Sequence, residues 1–345
     1  MMGTYAMPIR AVDTVDYHTG GEPFRIVVEP PVPMPGESVA DRRIRAMDDP
    51  AVDGLRQLLC FEPRGHADMY GGFLTPPDDA GADFGVLFWH KDGFSTACGH
   101  GTIALGVWAV ESGRVVPDPA GVTDVTIDVP SGRVVARVHT EADQVTGVDF
   151  VNVPSYVLAT DVGIETSRGR VSVDIGYGGA IYAHLRAADV GLSVDPGNVN
   201  ELIAFGRKVK SLLIETPYAR HPTDCRLDGI YGTILFDELG ESADGDLHQR
   251  KVTIFADGEL DRSPCGSGSS SRVAVLAARG ALRPGKTLVH DSIVGSRFVC
   301  AVVGETTVGA FDAVIPTVTG MAYRYGSSQF TVDPRDPLAS GFVLR

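Results

Sequence analysis

The chain is poor in several features that mark common protein classes. No apolar run approaches the roughly 20 residues of a membrane span, and the first residues, Met1-Met2-Gly3-Thr4-Tyr5, lack a basic segment followed by an apolar one. A cytoplasmic protein is expected. Basic residues are scarce, 30 Lys and Arg against 44 Asp and Glu, so the net charge of −14 argues against nucleic acid and anionic membranes as partners. A small anionic ligand remains compatible, because a local nest of backbone N–H groups can outweigh a distant field. Metal-type CxxC pairs are absent. The five cysteines (60, 98, 225, 265 and 300) are scattered and odd in number, which suggests free thiols in a reducing compartment. His18, His66 and His100 show no ligand spacing, so no metal is expected. No Lys-[Ser/Thr] follows the Gly-rich turns and no GxGxxG is completed, which disfavours a nucleotide.

Glycine, by contrast, is abundant. Its 41 copies, with 22 prolines, point to many short strands and tight turns rather than a helical bundle, and 345 residues suggest two domains. Strands are expected at 24–28, 85–89, 122–129, 133–138, 144–151, 170–175, 230–236, 251–255, 297–303 and 313–318, where Val and Ile are bounded by Gly, Pro, Asp or Ser. Helical spacing is found at 47–59, 101–111, 199–213 and 268–279.

Two segments repeat one plan. Phe84 to Trp89 reads as a strand, followed by Asp92-Gly93, then Cys98-Gly-His-Gly-Thr102 and a helix up to Gly113. Lys251 to Phe255 reads as a strand, followed by Asp257-Gly258, then Cys265-Gly-Ser-Gly-Ser269 and a helix up to Gly280. Both closing glycines suit a left-handed helix cap. The two halves are offset by 167 residues, Cys98 to Cys265, which implies structurally related lobes.

A cysteine at a helix start lies beside unpaired N–H groups and the positive end of the dipole, both of which favour thiolate over thiol. The neighbouring glycines let backbone N–H groups approach an anion. If the halves pack face to face, a thiol lies on each side of a bound acid, as needed to remove a proton from one face of a carbon and return one to the other. Cys60, Cys225 and Cys300 lack a Gly-rich helix start and are expected to be passive. His18, Glu22 and His66 lie in motif-like loops and are either supports of the site or polar flanks of turns.

Asp16-Tyr-His-Thr-Gly-Gly-Glu-Pro23, Glu62-Pro-Arg-Gly-His-Ala-Asp-Met-Tyr-Gly71, Cys98-Gly-His-Gly-Thr102 and Asp261-Arg-Ser-Pro-Cys-Gly-Ser-Gly268 resemble the proline racemase family, which includes proline racemases, 4-hydroxyproline 2-epimerases and trans-3-hydroxy-L-proline dehydratases. The resemblance implies an α/β fold like that of diaminopimelate epimerase. Two pseudo-symmetric lobes would each wrap strands around a central helix: residues 1–155, completed by strands from 322–345, and residues 156–321. The active site would lie in the cleft between them.

It also implies that Cys98 and Cys265 are the acid/base pair, that Gly99, His100, Gly266 and Ser267 cradle the substrate carboxylate, and that Asp261 receives the ring ammonium. Neither cofactor nor metal is implied, and a homodimer is compatible. The partner would be a small imino acid, proline or a hydroxyproline, inverted at its α-carbon. Cys265 stands where the dehydratases typically carry Thr, which favours inversion. Tyr231-Gly-Thr233 is closer to the dehydratases, since 4-hydroxyproline epimerases tend to have a histidine in that segment, and Ser269-Ser-Ser271 are candidates to reshape the pocket or bind a ring hydroxyl. Dehydration of trans-3-hydroxy-L-proline is therefore the alternative activity, and a non-catalytic imino-acid binder the alternative of another class.

Overall fold

The computed structural model describes residues 9–344. The first half begins with an antiparallel hairpin, β1 (Ala11–Thr19) and β2 (Glu22–Val27). Helices α1 (Val39–Asp48) and α2 (Pro50–Cys60) then cross to β3 (Tyr70–Thr75), which lies parallel to β2. Strands β4 (Phe84–His90) and β5 (Gly93–Phe94) lead into α3 (Gly99–Glu111). Strand β6 (Val122–Val129) returns parallel to β4, followed by antiparallel β7 (Gly132–Glu141) and β8 (Gln144–Val151).

The second half repeats this order. Strands β9 (Ser155–Thr166), β10 (Gly169–Tyr177) and β11 (Ile181–Arg186) precede α4 (Val199–Leu213), which crosses to β12 (Ile230–Glu241) lying parallel to β11. Strands β13 (Leu247–Phe255) and β14 (Glu259–Leu260) lead into α5 (Gly266–Ala278), and β15 (Leu288–Ser292) returns parallel to β13. Strands β16 (Arg297–Val308) and β17 (Phe311–Gly320) follow, and β18 (Ala322–Thr331) pairs antiparallel with β1.

The parallel pairs thus fall at the same two places in each half, where a connection long enough to hold a helix is required. Strands β9 to β13 and β15 to β17 close into a ring, because β17 also pairs with β9. In the other lobe the row β18-β1-β2-β3-β4-β6-β7-β8 ends where β8 pairs with the tail of β17. The fold is a strand-rich mixed α/β architecture with two related lobes.

Each lobe is filled by its helix. Residues 99–110 of α3 are buried on every side, which explains why the helix is built of small and apolar residues with no polar stripe. Thirteen residues would be marginal as an isolated helix, so packing must hold it. Burial of Ile103, Leu105 and Val107 contributes about 1.5–3 kcal/mol each. Gly113 and Gly280 follow the two helices at φ 72° and 66°, as the capping argument requires.

One sequence expectation is corrected. The single helix at 47–59 is two helices, because Asp49 is extended and its side chain accepts from Ala51 N–H and Val52 N–H, while Pro50 occupies the first turn, where its missing N–H costs nothing. The helix also begins earlier than its apolar pattern suggests, at Val39.

Candidate active site

The Asp261-Arg-Ser-Pro-Cys265 segment is folded by its own short side chains. Asp261 Oδ1 accepts from Ser263 N–H at 2.8 Å, and Ser263 Oγ accepts from Cys265 N–H at 3.0 Å. The loop is tied across to the first lobe, where Glu22 Oε2 accepts from Arg262 N–H at 2.7 Å. Asp68 accepts from Leu260 N–H at 3.1 Å and from the Arg262 guanidinium at 2.9 Å. The first two motif segments thus supply the clamp that sets the second cysteine's loop. His66 belongs to this support, since its Nδ1 accepts from Asp68 N–H at 3.2 Å. His18 packs beside Tyr323 and Tyr325 instead, apart from the site cavity.

Cys98, Gly99, His100, Asp261, Cys265, Gly266 and Ser267 all line one cavity where the N-termini of α3 and α5 meet. Its enclosed volume is about 20 Å³, little more than one water occupies. Gly99 and Gly266 are in backbone contact there, and a Cβ on Gly99 would lie 2.5 Å from Gly266 Cα. The first-turn N–H groups of both helices therefore converge without an intrahelical partner. Ser267 Oγ is buried and has no hydrogen-bond partner among the described residues, an orphan donor and acceptor at the cavity wall.

The two thiols are buried, at 5% and 7% exposure. Gly101 N–H donates to Cys98 Sγ at 3.2 Å, and the His100 ring approaches the same sulfur, with Nδ1 at 3.5 Å. Cys98 is extended, whereas Cys265 adopts φ 56°, ψ 103°, a conformation that costs a non-glycine residue about 1–3 kcal/mol. Burial pushes the Cys98 thiol well above its ordinary range against the opposing Gly101 N–H, and the charges of Asp261, Cys265 and Glu22 push it further. Burial and the Asp261 charge push Cys265 up to about 12, opposed by Lys251. In the closed cavity, desolvation thus outweighs the helix-start effect. Burial also lowers His100, which favours a neutral imidazole.

The remaining wall is aromatic: Tyr70 and Tyr231, which stand in motifs the sequence showed, are joined by Tyr182 and Phe255, and the meeting of these four residues from four separate strands was not legible in the sequence. Tyr231 and Tyr70 hydroxyls are 3.0 Å apart, Tyr70 also bonds Ser95 Oγ, and Tyr182 OH lies 4.0 Å from Cys265 Sγ. Burial raises all three phenols well above their usual range, so they remain protonated donors.

Ser269, Ser270 and Ser271 do not face the cavity. Their hydroxyls bond Pro264 O and His290, Gly266 O, and His184 respectively, because a polar helix buried inside a strand ring must satisfy each hydroxyl locally.

A wider groove of about 1060 Å³ adjoins the cavity and shares Tyr231 with it. At its wall, donor atoms of His90, Asp92 and Glu259 come within 4.8 Å of one another. Asp92 N–H donates to His90 Nδ1 at 3.1 Å and Lys91 Nζ lies 3.6 Å from Asp92, while both Glu259 oxygens are buried without a hydrogen-bond partner among the described residues. His18, His66 and His100 form no such group among the described residues.

The family model for proline racemase matches residues 14–343. A trans-3-hydroxy-L-proline dehydratase of Burkholderia cenocepacia is 46% identical over 340 residues, covering 97% of this chain and 99% of that protein. A 3-hydroxyproline 2-epimerase of Burkholderia multivorans is 45% identical with the same coverage. Among solved structures, a hydroxyproline epimerase of Agrobacterium vitis, crystallised with trans-4-hydroxy-L-proline, superposes with a TM-score of 0.89 at 32% identity, covering 98% of this chain and 97% of that one.

Proposed function

Since the chain belongs to the proline racemase family and is an enzyme of it, we propose that it inverts the α-carbon of a hydroxyproline by a two-cysteine mechanism, with 3-hydroxyproline as the preferred ring. The observation that carries this reading is the pair Cys98 and Cys265, each at its own helix start and both lining one cavity. One sulfur, as thiolate, takes the α-proton. The Cα–H electron pair moves toward the carboxylate, and the opposite thiol delivers its proton to the other face.

The developing negative charge falls on the carboxylate oxygens. First-turn N–H groups of Gly99, His100, Gly266 and Ser267, with the orphan Ser267 hydroxyl, are suited to stabilise it. Asp261 is the carboxylate lining the cavity and would receive the ring ammonium. A closed volume of about 20 Å³ does not admit an imino acid ring, so binding requires the lobes to part and close again.

A second reading is dehydration of trans-3-hydroxy-L-proline, favoured by the identity to the Burkholderia dehydratase and by the three protonated phenols, which can donate to a departing C3 hydroxyl. Both readings begin with the same α-proton removal. Incubating the pure enzyme in deuterated water with proline and its 3- and 4-hydroxy isomers separates them by proton NMR. Inversion predicts deuterium at the α-carbon and the epimer, dehydration predicts the cyclic imine, and neither exchange nor imine from any substrate overturns both.

A further inference from the structure

The two half-sites are not electrostatically equivalent. Gly101 and Gly268 occupy matching places three residues after each cysteine, and a Cβ at either would strike the neighbouring sulfur, 2.7 Å from Cys98 Sγ and 3.0 Å from Cys265 Sγ. What stands across from the sulfur differs. Beside Gly101 it is the Phe24 ring, with Cε2 at 2.4 Å from that point, and beside Gly268 it is Ile234 Cδ1 at 2.8 Å together with the Lys251 ammonium at 3.2 Å. The Cys265 sulfur and the Lys251 ammonium thus approach the same point on a backbone that carries no side chain, no more than about 6 Å apart, while Cys98 has the Phe24 ring at the matching point and the neutral His100 ring at 3.5 Å.

We propose that Lys251 is a positioning residue that makes Cys265 the more readily ionised of the two thiols, so that Cys265 is the base of the first proton transfer. The inference rests on the two-cysteine reading above and assigns its starting state.

Lys251 lies on β13 and is 1% exposed. Its Nζ contacts the Cys265 carbonyl oxygen at 3.5 Å, and no carboxylate stands within ion-pair distance of it among the described residues. A buried ammonium without a counter-charge is costly, and a thiolate opposite it offsets that cost. The charged and titratable groups around it are few. Burial lowers Lys251 and is the largest influence on it; Cys265 contributes most in favour of its charge, followed by Asp261 and Cys300, while Arg272 adds to the lowering. His290, on the neighbouring strand β15, and His184, on β11 beyond β12, are held neutral by burial, with Lys251 and Arg272 adding to that effect. Cys300 is the rival partner, since Lys251 also favours its thiolate.

Protons balance without any co-reactant. Cys265 gains the substrate proton, Cys98 loses its own to the product, and a proton passing back from Cys265 to Cys98 restores the starting form. Lys251 keeps its proton throughout. The ratio of kcat/KM for the two stereoisomers is fixed by the reaction equilibrium, so the asymmetry has to be read at the thiols.

The test is alkylation of the full chain by iodoacetamide from about pH 6 to about pH 12, with the Cys98 and Cys265 peptides quantified separately by mass spectrometry. The expected midpoint for Cys265 lies at least about one pH unit below that for Cys98. Lys251→Met should raise the Cys265 midpoint by about one unit or more, about a tenfold slower reaction near neutral pH, and leave Cys98 unmoved. Lys251→Arg should retain the wild-type profile, and Cys300→Ala should not change it. A Cys265 midpoint that is not the lower one in wild type, that ignores Lys251→Met, or that moves with Cys300→Ala overturns the assignment. Should Lys251→Met fail to fold, Lys251→Gln takes its place, with the same expected and overturning outcomes. Thiol asymmetry in a protein that exchanges no α-proton would sink the proposed function and leave Lys251's role standing, and exchange without asymmetry would do the reverse.

Discussion

Gly99 and Gly266, 167 residues apart in the chain, meet backbone to backbone at the starts of α3 and α5. A Cβ on Gly266 would lie 2.6 Å from Gly99 Cα, where only backbone can give way. Gly99→Ala or Gly266→Ala should therefore push the helix starts apart, at a cost of about 1–3 kcal/mol in stability. Displacing both acid/base groups by a fraction of an ångström should cost activity more, about a hundredfold in kcat/KM. Thermal melts alongside steady-state kinetics check this, and an active Gly99→Ala enzyme would remove the contact from the catalytic argument.

Replacing either sulfur by oxygen separates proton removal from inversion. Cys98→Ser and Cys265→Ser should each lose inversion by about a thousandfold or more. Each should still wash deuterium into one stereoisomer, the one whose α-proton faces the surviving thiol. Inversion that survives in the double variant contradicts the two-base reading.

The hydroxyl of Tyr231, 3.0 Å from that of Tyr70, is a candidate to read the ring substituent. Tyr231→Phe removes one polar partner and keeps the ring that packs against Phe255. The expected loss in kcat/KM is about tenfold greater for 3-hydroxyproline than for proline, consistent with one hydrogen bond. Equal losses on both substrates would assign Tyr231 to wall packing alone.

Glu259 and His90 give a pH-dependent prediction away from the thiols. Glu259 Oε1 lies 3.2 Å from His90 Nδ1, which already accepts from Asp92 N–H, so the contact joins two acceptors unless the carboxyl carries a proton. Burial, and then the Asp92 charge, raise Glu259 well above the ordinary 4.5, while burial and the Arg56 charge keep His90 neutral. A carboxyl raised on folding contributes stability that is complete below the unfolded value and is lost as pH rises through the folded one. Glu259→Gln mimics the protonated form. Its melting temperature should exceed wild type above neutral pH, and the gain should vanish on descending toward pH 4.5. A difference that is constant with pH would remove Glu259 from this account.

The sequence alone determined the repeat, the two helix-start cysteines and most strands, because these rest on local signals: β-branched runs between turn residues, and glycines at fixed distances from a cysteine. Cys98, His100, Asp261 and Ser267 stand together in the folded cavity as their motifs led one to expect. Local signals also had limits. The pattern at 47–59 merged two helices across Asp49-Pro50, and the serines after Cys265, candidates to reshape the pocket, turn away to bond the surrounding strands or the helix's own backbone. Only the tertiary structure decided the aromatic wall, the Glu22–Arg262–Asp68 clamp between lobes, and the placement of Lys251 behind Cys265 rather than Cys98. The reason is physical. Each of these is a juxtaposition of side chains from strands distant in sequence, set by ring closure and burial, and burial is also what raises the two thiols that their helix starts alone would have lowered.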